Sequence, residues 1–177
     1  IAVVFSFCGK DDNLMLKSLM WMGRLHGQLD RTAVLHFDNT TNRNTLDGIN
    51  RAANQVFNRV LLSNYPTPQS PWVGWPAACN FAFAHGSDFI DRHIQTPWLW
   101  FEADMVAVVP DWLAQIETEY AVGSKPFMGT VIGNFDGLRM GHINGTAVYP
   151  VNAASYFPKA LANPRYPWDA GMRDEMI

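Results

Sequence analysis

Trp98-Leu99-Trp100-Phe101-Glu102-Ala103-Asp104 is the stretch on which the reading of the chain turns. Four large apolar residues in a row suit a short strand buried on both faces. Strands of that kind belong to parallel sheets covered by helices. The run ends abruptly in two acids, so both emerge from the core where a strand gives way to a loop. Alternation along an extended chain predicts that Glu102 and Asp104 point to the same side. Two carboxylates so placed can hold one hard cation, Mn²⁺ or Mg²⁺, and share it with phosphate oxygens. The plainer reading of the pair is a solvated loop after a strand.

Working outward, apolar runs and helical periodicities alternate. Residues 1–7 read as a first strand, and Asp11-Asp12-Asn13 as the cap of a helix whose core face is Met15, Leu19 and Met22. Residues 32–37 form a second strand, ending at Asp38-Asn39. Leu46, Ile49, Ala53 and Val56 mark a second helix, and residues 60–62 a short third strand. Pro66, Pro68 and Pro71 forbid a regular element. A third helix follows Pro76, running through Ala77, Phe81 and Ala84 and past Gly86. Beyond the strand at 98–101, Pro110 opens a fourth helix with Trp112, Ile116 and Tyr120 on one face, and Gly123 ends it. Strands are expected at 127–132 and 143–149, then a tail of loop and short helix. The order predicts an α/β fold: a mostly parallel, Rossmann-like central sheet flanked by helices, in one domain over residues 1–177. Ligands in such sheets bind beyond the carboxyl ends of the strands.

Bulk properties set limits. The chain has 177 residues, 48% hydrophobic and 16% charged, with a net charge of −3. This is a globular balance and not that of a strongly basic nucleic-acid binder. Its two cysteines, Cys8 and Cys79, are too few for a disulfide framework, and a cytoplasmic setting is the expectation. No apolar run reaches the roughly 18 residues of a membrane span. The chain opens inside a strand and closes inside a helical pattern, so a domain trimmed at both ends is expected. No HExxH, GxSxG, GxGxxG or Walker pattern occurs, which argues against zinc hydrolases, acyl hydrolases, dehydrogenases and P-loop enzymes.

Several segments together resemble the GT-A glycosyltransferases, especially the family-two-like enzymes of the nucleotide-diphospho-sugar transferase superfamily. Gly74-Trp75-Pro76-Ala77-Ala78-Cys79-Asn80 is similar to the family's Gly-x-x-x-x-x-Asn helix start, and Glu102-Ala103-Asp104 to its Asp-x-Asp motif. Pro110-Asp111-Trp112-Leu113 resembles the helix start after that motif, and residues 142–147 the strand lining the acceptor side. Glu replaces the first Asp of the motif, and Asp38-Asn39-Thr40 stands where an Asp-Gly-Ser run is usual.

The resemblance implies an inverting, metal-dependent transfer of a sugar from a nucleoside-diphosphate sugar to an acceptor hydroxyl. It implies that Asp104 holds the metal and that Glu102 contacts ribose or metal. Asp38 would meet the base or ribose, the backbone of Phe7, Cys8 and Gly9 would line the base pocket, and Asn80 would brace the motif loop. Asp169 is the implied general base, with Asp174 and Glu175 as alternatives. A helix cap is the simpler role for Asp169. His142 and Trp168 fall on the acceptor side, and Trp72, Trp75 and Trp168 could stack on a sugar or base. The acceptor stays open among saccharide, lipid, protein and modified nucleic-acid base, the last served by Arg139, Arg165 and Arg173. Two other classes remain: a non-catalytic nucleotide-sugar-binding module, and a sugar-nucleotide nucleotidyltransferase. The acidic, Gly-poor Gly9-Lys10-Asp11-Asp12 counts against the latter.

Overall fold

The computed structural model of the chain describes residues 1–132 and 142–171; of Ile132 and His142 it describes the backbone only. The chain divides into two units, each made of two segments: Ile1–Thr67 with Leu99–Lys125, and Pro68–Trp98 with Pro126–Ile177.

The first unit is built on β1 (Ala2–Phe7), β2 (Leu29–Asp38), β3 (Phe57–Tyr65) and β4 (Trp98–Glu102, from Leu99 onward). They lie in the order β3-β2-β1-β4. β1 pairs parallel with β2, Phe5 opposite Leu35, and β2 pairs parallel with β3, Leu35 opposite Leu62. The helices are α1 (Asp12–Leu25), α2 (Arg43–Val56) and α4 (Trp112–Gly123). Met15, Leu19 and Met22 of α1, and Ile49, Ala53 and Val56 of α2, are buried as their spacing requires. Val3, Val4 and Phe5 of β1 are buried as well. Burial of each large side chain in this layer stabilises by about 1.5–3 kcal/mol.

The second unit holds α3 (Ala77–His93), β5 (Met128–Ile132), β6 (His142–Tyr149), a 3₁₀ turn at Ala153–Tyr156, α5 (Pro158–Ala162) and α6 (Trp168–Gly171). β5 and β6 are antiparallel. A side chain at Gly129 would stand 2.6 Å from the Ala147 Cβ, so only glycine lets these strands meet. The core is aromatic. Phe83 meets Trp168 at 4.5 Å, Tyr149 at 4.8 Å and Trp98 at 5.2 Å between ring centroids. Each polar handle is satisfied: the Trp98 indole donates to the Pro150 carbonyl, and the Tyr149 hydroxyl to the Gly145 carbonyl.

The fold class is α/β, mostly parallel and helix-flanked, as expected. Two local expectations change. β3 spans nine residues where three were read, because its polar positions Asn58, Arg59 and Asn64 mask the strand. α3 buries Ala77, Asn80, Phe83, Ser87 and Ile90, whereas Phe81 and Ala84, which marked the helix in the sequence, are half-buried. α4 ends at Gly123, as read, with Ser124 beyond it in the left-handed conformation.

Candidate functional site

The site lies in the first unit, where β1, β2 and β4 run out into loops. Asp38 closes β2 and is 6% exposed. Its Oδ1 accepts hydrogen bonds from the Thr40 amide (3.1 Å) and hydroxyl (2.6 Å). This is an Asx turn, the local structure that Asp followed two residues on by a hydroxyl favours. The Thr40 Oγ1 in turn accepts from the Gly9 amide at 3.0 Å. A Cβ at Gly9 would collide with the Thr40 carbonyl, so the close approach of the two loops requires glycine. One residue earlier, the Cys8 amide donates to Asp11 Oδ1 at 2.6 Å. Asp11 therefore braces the β1 turn and does not cap α1 with its side chain. Asp12, buried at the start of α1, accepts from the Asn42 amide at 3.3 Å. The ends of β1 and β2 thus form one hydrogen-bonded frame.

β4 delivers the acidic pair. The strand stops at Glu102, and the Met105 amide donates to the Glu102 carbonyl at 3.0 Å, which closes a four-residue turn. The expected alternation of residues 102 and 104 therefore does not apply, because the chain is no longer extended between them. Glu102 is half-buried, Ala103 buried and Asp104 exposed. The loop beyond is tied to α1: the Ser18 hydroxyl donates to the Met105 carbonyl (3.0 Å) and the Trp21 indole to the Ala107 carbonyl (2.8 Å). Further on, the Trp112 indole donates to His26 Nε2 at 3.2 Å. These three contacts run in the same order along both segments. β4 neighbours β1 in the strand order, so the acidic turn follows the strand beside the one that ends at Phe7.

Could this turn hold a divalent ion? Its donors are carboxylate oxygens, the class that Mn²⁺ and Mg²⁺ prefer. Among the described residues, no group of three His, Cys, Asp or Glu is placed to chelate a metal. The turn offers two carboxylates in all, so an ion there would draw the rest of its shell from phosphate oxygens and water. Mg²⁺ is commonly held in that way.

Other expected residues take different roles. Phe7 is buried and stacks on Phe37 at 5.9 Å, so its side chain is core. The amides of Cys8 and Gly9 are spent on Asp11 and Thr40, so they line the turn without donors to spare. Burial, assisted by Asp11, pushes the Cys8 thiol above its ordinary pKa and makes it a poor nucleophile.

In the second unit, Asn80 is 1% exposed. Its amide donates to the carbonyls of Asn163 and Tyr166, both at 2.9 Å, and its Oδ1 accepts from the Trp168 amide at 2.7 Å. It braces the 160–168 tail, in place of the loop at 102–104. Trp168, expected at the acceptor, is buried against Phe83, and its indole donates to the Tyr149 hydroxyl. Asp169 Oδ1 accepts from the Ala170 amide at 2.9 Å, within the short helix α6. Trp75 is exposed on its loop and Trp72 half-buried. The His142 side chain, Arg139, Arg173, Asp174 and Glu175 lie outside the described residues.

No family model matches the chain, and no curated protein does. Solved structures do. TarS 1-349 from S. aureus matches over 98% of this chain and 54% of its own, at 12% identity and a TM-score of 0.54. The chain thus spans about half the length of TarS 1-349. Mouse xyloside xylosyltransferase 1 matches over 99% of this chain and 80% of its own, at 8% identity and a TM-score of 0.47. The mannosyltransferase Ktr4p of S. cerevisiae covers 76% of this chain and 40% of its own, at 9% identity and a TM-score of 0.38. At such identities the likeness to TarS is one of fold. The neighbours include glycosyltransferases by name.

In this TarS-like fold, the residues that sequence reasoning missed are those that hold the frame: Thr40, Asp11, Ser18 and Trp21. Asp38-Asn39-Thr40 carried a local turn signal. The other three act across long stretches of chain or through a helix cap position, and spacing alone does not reveal them. No helix among the described residues is long and apolar enough to cross a membrane.

Proposed function

We propose that the chain carries the donor-binding part of a glycosyltransferase, one that moves a sugar from a nucleoside-diphosphate sugar to an acceptor hydroxyl. The observation that carries this reading is the acidic turn Glu102–Met105, pinned to α1 and leaving Asp104 exposed at the end of a buried strand. The TarS-like fold supports it. Glu102 and Asp104 would hold Mn²⁺ or Mg²⁺, which supplies charge neutralisation to a departing diphosphate. The protein's own part is to fix the two carboxylates. Ser18 and Trp21 clamp the loop, and Asp38 with Thr40 holds the neighbouring turn, so little reorganisation is left to occur on binding.

Transfer with inversion further requires a base at the acceptor hydroxyl. Asp169 keeps that proposed role, with its Oδ1 accepting from the Ala170 amide inside α6. A cytoplasmic setting belongs with this reading, and both cysteines are free. The use of the Cys8 and Gly9 amides within the turn favours a second reading, a binding module without turnover, because fewer donors are left for the donor substrate. Hydrolysis of UDP-, GDP- and ADP-sugars in Mn²⁺ separates the two. The transferase reading expects slow metal-dependent hydrolysis of one donor, lost at least a hundredfold in Asp104→Ala. Hydrolysis equal in Asp104→Ala and the parent would remove the turn from the reaction.

A further inference from the structure

α1 buries one side and leaves a continuous arc exposed: Leu14, Lys17, Met20, Trp21 and Arg24. Three of the five are large and apolar, and Leu14 and Trp21 are each 45% exposed. The hydrogen bonds from Ser18 and Trp21 lay the loop after β4 along the same flank. That loop is Met105-Val106-Ala107-Val108-Val109, with Val106 53% and Val108 76% exposed. Helix and loop, both of the first unit, make one apolar surface from two segments distant in sequence. Scattered exposed apolar residues are ordinary, but a contiguous group of this size marks a binding surface.

We propose that this surface docks on anionic lipid, with the valine loop and Trp21 entering the interface and Lys17 and Arg24 meeting the headgroups. The charge pattern selects this occupant. The cations on the arc lie among the apolar residues, at i+3 from Leu14 and i+3 from Trp21, the arrangement of interfacial helices on acidic membranes. Lys10, exposed before α1, adds a third cation on the same turn of chain. Asp104 and Asp111 stand at the two ends of the loop and leave its centre uncharged, while Asp11 and Asp12, beside Lys10, are engaged by the Cys8 and Asn42 amides. The Trp21 indole N–H is already paired with the Ala107 carbonyl, so its ring can leave water without an unsatisfied donor. This proposal stands independently of the transferase reading.

Vesicle co-sedimentation tests it, with phosphatidylcholine alone and with phosphatidylcholine containing phosphatidylglycerol, at low and high salt. Binding is expected to the anionic vesicles only and to weaken with salt. Lys17→Glu with Arg24→Glu is expected to lower partitioning by about tenfold or more. Val106→Ser with Val108→Ser should abolish it, with an unchanged thermal midpoint showing that the fold is intact. Three results overturn the proposal: no sedimentation with either vesicle, sedimentation that both double variants leave unchanged, or a concentration-dependent dimer dispersed by Val106→Ser with Val108→Ser in place of lipid binding.

Discussion

Asn80 carries more of the second unit than any acid carries of the first. One buried amide serves two carbonyls at 2.9 Å and one backbone N–H at 2.7 Å, and so fastens the tail at Asn163, Tyr166 and Trp168 to α3. Truncation would strand the buried Trp168 amide and release the two part-buried carbonyls, and a stranded buried group costs about 1–3 kcal/mol. Asn80→Ala should therefore lower stability by roughly 3 kcal/mol or more in urea unfolding. Arg31 and Glu117 offer a different residue-scale test. The guanidinium grips the carboxylate through two bonds, 2.6 and 2.7 Å, and holds it below the ordinary Glu range. A lowered carboxylate pKa stabilises the fold above the unfolded value, and that contribution is lost as the pH falls through the folded value. The stability gap between the parent and Arg31→Gln should be widest near neutrality and close as the pH drops below about 4. A gap independent of pH would show that the pair contributes through packing.

At the scale of elements, the legible parts were those whose period is set by one buried face. The spacing of Met15, Leu19 and Met22 located α1, and that of Ile49, Ala53 and Val56 located α2. β3 was under-read because it forms the edge of the first unit's strand order and carries polar residues where an inner strand would be apolar. α3 was located without its buried side, since Asn80 and Ser87 occupy that side and spacing of apolar residues cannot count them. Capping was poorly legible, and Asn42 passed as part of a polar loop. Asn42, which begins α2, accepts from the Asn44 and Thr45 amides, and Asn42→Ala should cost about 1 kcal/mol in thermal or chemical unfolding. Asp11 looked like a cap of the same kind, but the Cys8 amide takes its carboxylate. The choice between cap and turn depends on how the preceding strand ends, which the residue type does not encode.

For the molecule as a whole, strand–helix alternation foretold the α/β class, because each repeat must bury a strand between helices. The acidic pair after β4 was legible for the same reason: a wholly apolar strand has to surface somewhere. The loop partners that fix it were not, since Ser18 and Met105 are 87 positions apart and meet only once the sheet has formed. The function proposed for the first unit reduces to a turn whose two carboxylates would meet a shared cation and a diphosphate. The most direct measurement is the thermal midpoint of the chain with UDP, GDP, ADP or CDP, with and without Mn²⁺, alongside Glu102→Gln and Asp104→Asn. Ligand at 100 times its dissociation constant stabilises by about 2.7 kcal/mol. The account predicts that one diphosphate raises the midpoint by several degrees only with Mn²⁺, and that either substitution removes the rise. A rise without metal, or one that survives both substitutions, would contradict it.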